Sequence, residues 1–280
     1  MTPEPGIYYD VPFTEYFAWD AVSNTILKEL ADKSPLHAKY LKDHPRIDTP
    51  SFLIGRAAHC LALEPDRFES RYSIAPECDK RTKAGKESWA AFCEQSNGRD
   101  VLTSEQYESI KEVTGAIHTQ VIDRFIQQGK AEVCIVWIDK ATGLLCKARL
   151  DYVHEERAFI VDLKTTTDAN KDAFARDMWK YRYYQQAAFY AEGWKVTTGD
   201  ESVFVFLPIE KNPPYAVGAY ETGDYTMQAG RRAFREALDT YAECVATGRW
   251  PGYADSVELI DLPGWALKQA GVNDYDRTEV

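Results

Sequence analysis

The sequence lacks any run approaching the roughly 20 apolar residues that a membrane-spanning helix needs. Its first residues, MTPEPGIYYDVPFTEYF, hold no basic stretch followed by an apolar one, the pattern of a secretion signal. No membrane association is expected, and a cytoplasmic location, bacterial or in a phage-infected host, is. The six cysteines (Cys60, Cys78, Cys93, Cys134, Cys146 and Cys244) form no CxxC pair, which argues against a zinc site and fits reduced thiols. Walker loop, GxGxxG and Ser-His-Asp patterns are missing, so ATP-driven motor work is not expected. His37, His44, His118 and His154 show no ligand spacing. An excess of positive charge is also missing. A net charge of −11 argues against a protein that coats nucleic acid nonspecifically. Action on nucleic acid stays open, because carboxylates that hold cations contribute to the negative total and basic residues need only be concentrated locally. Lys80, Arg81, Lys83 and Lys86 are such a concentration.

What is present suits one globular unit. At 280 residues, 45% hydrophobic and 28% charged, the chain can bury a sizeable core. Helical spacing of Ile26, Leu27 and Leu30 predicts a helix over 23–40, and small residues at 57, 58 and 62 predict another over 49–63. Residues 77–86 read as a basic loop, followed by helices over 84–95 and 103–128, the latter opening with Thr103 and Gln106 in capping-box spacing. The texture changes at Ala131. EVCIVWID (132–139), 144–154 and 157–164 are rich in β-branched and aromatic residues and predict three strands. A helix over 173–192, strands over 203–207 and 215–220, and an amphipathic helix over 225–247 closed by Gly248 complete the series. The expected division is one domain over 1–250, mainly helical to 130 and an α/β core from 131 to 250, with a loosely attached tail over 251–280. Trp89 and Trp137 are expected to be packed.

The segment ARLDYVHEERAFIVDLKTTTD carries the chemistry. Asp162 and Lys164 lie eleven and thirteen residues after Asp151. Period-two alternation puts Asp162 and Lys164 on one strand face, with Leu163 on the other. A bent hairpin of 144–152 with 158–165 would bring Asp151 to the same point. Two carboxylates and an amine suit a hard divalent cation, which prefers oxygen ligands and keeps water and phosphate in its shell. Asp151 and Asp162 would hold the ion, the Leu163 carbonyl could add a ligand, and Lys164 would orient water or stabilise charge on phosphorus. From spacing alone, a solvated strand face with surface ion pairs fits the same residues.

Several segments resemble a known group in register. Asp151 with Asp162-Leu163-Lys164 is similar to the D…(D/E)xK signature of the PD-(D/E)XK superfamily. The segments 55–59 (GRAAH), 63–65 (LEP), 80–85 (KRTKAG), Ala131-Glu132, 142–146 (TGLLC), 161–166 (VDLKTT), 181–183 (YRY) and 186–190 (QAAFY) resemble the exonuclease VIII (RecE) family and its phage recombination relatives, from about Tyr9 to about Tyr241. Leu150 stands where the superfamily's name has proline.

The resemblance implies an α/β fold, a restriction-endonuclease-like core with a central mixed sheet flanked by helices, plus an N-terminal helical lobe. It implies that His59 joins the metal site as in RecB-type nucleases and that Glu132 reaches a metal directly or through water. It also implies that Gln186 and Tyr190, one helical turn apart, brace the site and contact DNA. Read alone, these residues pass for helix core or cap, strand start and helix surface. Arg81, Lys83 and Lys86 would grip a terminal 5′ phosphate, and Arg149, on the strand face of Asp151, would pair with a carboxylate or a phosphate. The implied activity is Mg2+-dependent hydrolysis of linear duplex DNA from 5′ to 3′, with Mn2+ able to replace Mg2+. The 3′ overhang would be handed to a RecT-like single-strand annealing protein, and a homo-oligomeric ring would give processivity by topology. An endonuclease, a single-strand nuclease, or a noncatalytic DNA-binding or assembly module of the same fold remain alternatives.

Overall fold

A computed structural model describes residues 2–44, 50–120, 129–154 and 159–272. The expected helical stretch 121–128, the strand start at 157–158, position 49 and the end of the tail, 273–280, lie outside the described residues. The order begins β1 (Gly6–Tyr8), α1 (Phe13–Ala18), β2 (Val22–Ser23), α2 (Asn24–Asp32), α3 (Pro35–Asp43), α4 (Pro50–Leu63), α5 (Pro65–Arg71), β3 (Tyr72–Ile74), α6 (Lys83–Ser96), β4 (Asp100–Leu102) and α7 (Ser104–Gln120). It continues β5 (Lys130–Ile138), β6 (Leu145–His154), β7 (Phe159–Thr166), α8 (Lys171–Lys180), α9 (Tyr183–Thr198), β8 (Val203–Glu210), β9 (Tyr220–Glu221), α10 (Asp224–Thr247) and α11 (Gly264–Gln269).

The central sheet is mixed, in the order β1-β5-β6-β7-β8-β9, with β2 added to β6. β5, β6 and β7, the three strands expected from the sequence, form an antiparallel meander, and β7 pairs in parallel with β8 across the α8–α9 crossover. On one face, α9, α10 and α2 cover a core of Val133, Ile135, Trp137, Ala148, Phe189 and Phe206. On the other, α4 and α7 cover Tyr152, Val161, Leu163 and Leu207. A further cluster of Ala57, Cys60, Phe68 and Ile110 holds α4, α5 and α7 together. The first half is therefore not only helical: β1 and β2 join the main sheet, and β3 and β4 form a small parallel pair. Strands of two or three residues leave too little pattern to be read from sequence.

Two predicted helices are broken. The stretch 23–40 divides at Lys33–Ser34, because Pro35 opens α3 and has no N–H with which to continue α2. The stretch 173–192 divides at Arg182, whose φ of 54° is left-handed in a residue that is not glycine. Arg182 is pinned there by Asp32, with Nε at 2.5 Å from Oδ1, and by the Ala31 carbonyl at 3.3 Å. Pro208 does not end β8: it lies opposite Lys164 in the ladder, and its carbonyl accepts from Gly218 N at 2.9 Å. The strand expected over 215–220 is reduced to β9 and a bridge from Val217 to Ile209. The Thr103–Gln106 box forms as read, with reciprocal bonds of 3.1 and 2.9 Å.

The helices that carry the site are packed closely. A Cβ built on Gly230 would stand 2.1 Å from the Tyr184 carbonyl oxygen, so α10 can touch α9 this closely only at a residue without a side chain. Beyond α10, Val257, Leu259 and Ile260 are exposed and α11 buries nothing. No helix among the described residues is long and apolar enough to cross a membrane.

Candidate active site

The site forms where the sheet stops being regular. The β6–β7 ladder runs through His154↔Phe159, Val153↔Ile160 and Tyr152↔Val161 and then ends. One more step would pair Asp151 with Asp162. Instead the Asp151 carboxylate enters the gap, and its Oδ2 accepts from Leu163 N at 2.8 Å. A side-chain oxygen thus replaces a backbone carbonyl, which satisfies the amide while the strands part. The β5–β6 ladder skips one position as well. Its register, Ala131↔Tyr152 and then Val133↔Leu150, leaves Glu132 opposite Asp151, and Glu132 is left-handed with φ 54°. The alternation of β6 also shifts here: Cys146, Ala148 and Leu150 face the α9 side, and so does Val153, three residues on. Three carboxylate residues on three adjacent strands therefore lie in one row at a local distortion, a place where backbone strain is commonly held for function.

Each side chain in the row has a different partner. Asp162 is 1% exposed; its Oδ2 stands 2.5 Å from Lys164 Nζ, and its Oδ1 accepts from Gln186 Nε2 on α9 at 2.5 Å. The Lys164 contact is an ion pair rather than an aligned hydrogen bond, and Oδ2 has no hydrogen-bond partner. Lys164 lies over the Tyr183 ring, 4.8 Å from its centroid. His59, one helical turn before Leu63 on α4, approaches from the opposite face, its Nδ1 3.5 Å from Asp151 Oδ2. Asp151, Asp162, Lys164, His59 and Gln186 are thus brought together. Tyr190 packs one turn beyond Gln186 against the α9-side core. Glu132 turns aside: its carboxylate pairs tightly with Arg149, whose Nη1 also donates to the Val11 carbonyl at 3.0 Å. Arg149 is therefore a carboxylate partner here.

Electrostatics separate the two aspartates. Burial pushes the Asp162 carboxyl up, Lys164 opposes it, and the neighbouring Asp151 adds to the rise. For Asp151, burial is outweighed by His59 and Lys164, which hold the carboxyl below its ordinary value. Burial disfavours His59 protonation, yet Asp151 overrides it and raises the imidazole to about 9. Lys164 is likewise raised, since Asp162 and Asp151 outweigh its burial. An ammonium and an imidazolium balancing two carboxylates are what this pocket favours without an ion.

The residues fit a hard cation on their donor set. Asp162 Oδ2 is a buried oxygen with a lone pair uncommitted to any hydrogen bond, and Asp151 lies across the split from it. Among the described residues, no three His, Cys, Asp or Glu side chains stand in a ready-made cage. One or two carboxylates with water and phosphate suffice for magnesium.

The basic segment differs from its reading as a loop. Thr82 caps α6, accepting from Gly85 N at 3.0 Å, so Lys83 and Lys86 lie on the first turn of a helix. Arg81 is paired with Asp79 at 3.0 Å, Lys83 is 3.9 Å from Glu87, and Lys80 covers the Trp89 ring at 3.0 Å. All of these lie on the exposed surface, apart from the half-buried Trp89. Trp137 is packed in the core, as expected. The sequence reading gave no role to Tyr183, although the Tyr-Arg-Tyr run just before Gln186 was its signal.

Comparison with known proteins bears on the fold and the family. A protein from Eubacterium rectale described as a "putative exonuclease" superposes with a TM-score of 0.61 at 14% identity, over 94% of this chain and 98% of that one. At that identity the likeness establishes a shared fold. A phage related exonuclease from Haemophilus somnus 129PT gives a TM-score of 0.36 at 13% identity, over 82% and 96% of the two chains. No curated protein matches the chain. The model of one family matches residues 23–263, most of the chain and every residue of the site. The chain belongs to that family, the PDDEXK-like domains of unknown function (DUF3799), and has their nuclease-type α/β fold.

Proposed function

We propose that the protein is a Mg2+-dependent deoxyribonuclease that degrades linear duplex DNA from its ends, 5′ to 3′, leaving a 3′ overhang for single-strand annealing. The observation that carries the reading is the convergence of Asp151, Asp162 and Lys164 at the β6–β7 split, with His59 on one side and Gln186 on the other. End preference, polarity, a RecT-like annealing partner and a ring-shaped oligomer rest on the family resemblance.

Asp151 and Asp162 would hold the ion, with the Leu163 carbonyl and His59 as further donors, and Mn2+ shares the same oxygen preference. When bound, the ion supplies Lewis-acid stabilisation of charge on the attacked phosphate. The chain's own groups do the rest. Asp151 accepts from the Leu163 amide and so holds the Asp162–Leu163 peptide where β6 and β7 part. Gln186 holds one oxygen of Asp162 and leaves the other facing the reaction. Lys164, kept charged by two carboxylates and steadied over Tyr183, presents an ammonium to the phosphate as negative charge builds on it. Arg81, Lys83 and Lys86 are exposed enough to meet a terminal phosphate.

The test is incubation with linear duplex, circular duplex and single-stranded DNA in Mg2+, with and without 5′ phosphates. The expected result is loss of linear duplex only, faster with a 5′ phosphate, and abolished in Asp162→Ala. Cutting of circles would replace the exonuclease with an endonuclease, and binding without cleavage would leave a noncatalytic module.

A further inference from the structure

Beside the site lies a cleft of about 250 Å³ between the first turns of α2 and the α8–α9 junction. It is contiguous with the active centre: its wall includes Gln186, whose amide holds Asp162, and Tyr183, whose ring underlies Lys164. Across from them stand Asn24, Thr25 and Lys28. The lining is almost entirely hydrogen-bonding. Its one carboxylate, Glu29, is neutralised by Lys33 at 2.8 Å. Donors and a cation without an uncompensated anion are what an anionic ligand requires.

Tyr181 decides between a base and a backbone group. An aromatic side chain at such a cleft could stack on a nucleobase. Here the ring already has two ammonium groups within cation–π range, Lys28 at 5.7 Å and Lys180 at 5.0 Å from the centroid. The ring draws cations to the cleft, which suits a backbone phosphate better than a base. The junction that places it is itself held, since Arg182 keeps its left-handed backbone through the Asp32 ion pair to α2. Both walls are therefore fixed relative to each other by contacts 150 or more residues apart in sequence, Arg182 with Asp32 and Ala31 and Gln185 with Asn24.

We propose that this cleft is a positioning subsite for a nucleic-acid phosphodiester flanking the scissile one, with Lys28 as its cationic contact. The inference rests on the nuclease reading and deepens it. Lys28 reads backbone charge and carries no base information, so it aligns the strand on Asp162 and Lys164 regardless of sequence.

The experiment walks a single uncharged methylphosphonate along the phosphates flanking the first cleaved bond of a short linear duplex. It compares wild type, Lys28→Gln and Lys28→Arg. In wild type, one flanking position is expected to lose about tenfold in kcat/KM, the scale of one charge-assisted bond. Lys28→Gln should lose a similar factor on unmodified DNA, through KM rather than kcat, and be insensitive at that one position. Lys28→Arg should restore both. Equal sensitivity of wild type and Lys28→Gln at every position would overturn the subsite, as would a loss confined to kcat. If wild type cleaves no DNA, the nuclease reading fails separately, and the subsite is then read from binding. Anisotropy of a labelled single-stranded oligonucleotide in EDTA, across a salt series, should show the slope of log K on log salt reduced by about 0.7 in Lys28→Gln. An unchanged slope would overturn the proposal.

Discussion

Removing the ammonium of Lys164 should destabilise the fold far more than removing both members of its ion pair. Asp162 is 1% exposed, and its Oδ2, 2.5 Å from Lys164 Nζ, has no hydrogen bond to fall back on. Lys164→Met therefore leaves a buried carboxylate held only by Gln186 and faced by Asp151. Breaking a buried pair in this way costs about 3–5 kcal/mol. For a chain of this size, where about 1 kcal/mol shifts Tm by roughly 2 °C, that is a fall of roughly 6–10 °C. The double variant Asp162→Asn, Lys164→Met buries neither charge and should lie within about 1–2 kcal/mol of wild type, because loss of the Coulomb attraction is offset by loss of two desolvation penalties. The two single losses should then together exceed the double loss by about 2 kcal/mol or more in a double-mutant cycle. Urea unfolding followed by far-UV circular dichroism, in EDTA so that no cation contributes, reads all four proteins, with a constant m value as the check on the denatured state. If the double variant lost the sum of the single losses, the ion pair would not be the element holding Asp162 in place, and the electrostatic account of the site would fail.

Asp139 offers a pH test away from the site. Burial would raise its carboxyl, but Arg235, at 2.5 and 3.0 Å, and the Thr142 hydroxyl and amide bring it down to about 2. A carboxyl depressed in the folded state stabilises above its unfolded pKa of about 4, and the contribution drains as pH falls from there to about 2. The stability gap between wild type and Arg235→Gln should be about 1–2 kcal/mol at pH 7 and shrink across that window; a gap independent of pH would refute the assignment. Gly230→Ala should cost about 2 kcal/mol or more in urea unfolding, because the new methyl meets the Tyr184 carbonyl and must push α10 from α9; an unchanged midpoint would show that the helices yield freely. His59→Asn should move the Mg2+ dependence of cleavage to about tenfold higher concentration, the usual effect of losing a group that orients a ligating carboxylate. The same Mg2+ dependence as wild type would remove the imidazole from the ion's surroundings.

Much of this protein is local and hence legible in its sequence. The β-branched runs of 132–139 and 144–154, the Thr103–Gln106 box and Gly248 after α10 each act within one element, so their pattern survives without knowledge of the rest of the chain. The placement of Asp162 and Lys164 on one strand face follows from period two alone. Other features exist only once distant segments meet. The Asp151 carboxylate fills a gap between strands, Glu132 turns to Arg149, and Arg182 adopts a left-handed backbone because Asp32 waits across the fold. The row of acidic residues on β5, β6 and β7 depends on two ladders both failing at one level, and the cleft beside it on two helices that no sequence spacing relates. Spacing along a chain fixes which side of an element a residue occupies; the partner that sets its charge and direction arrives through tertiary packing, which has no local period.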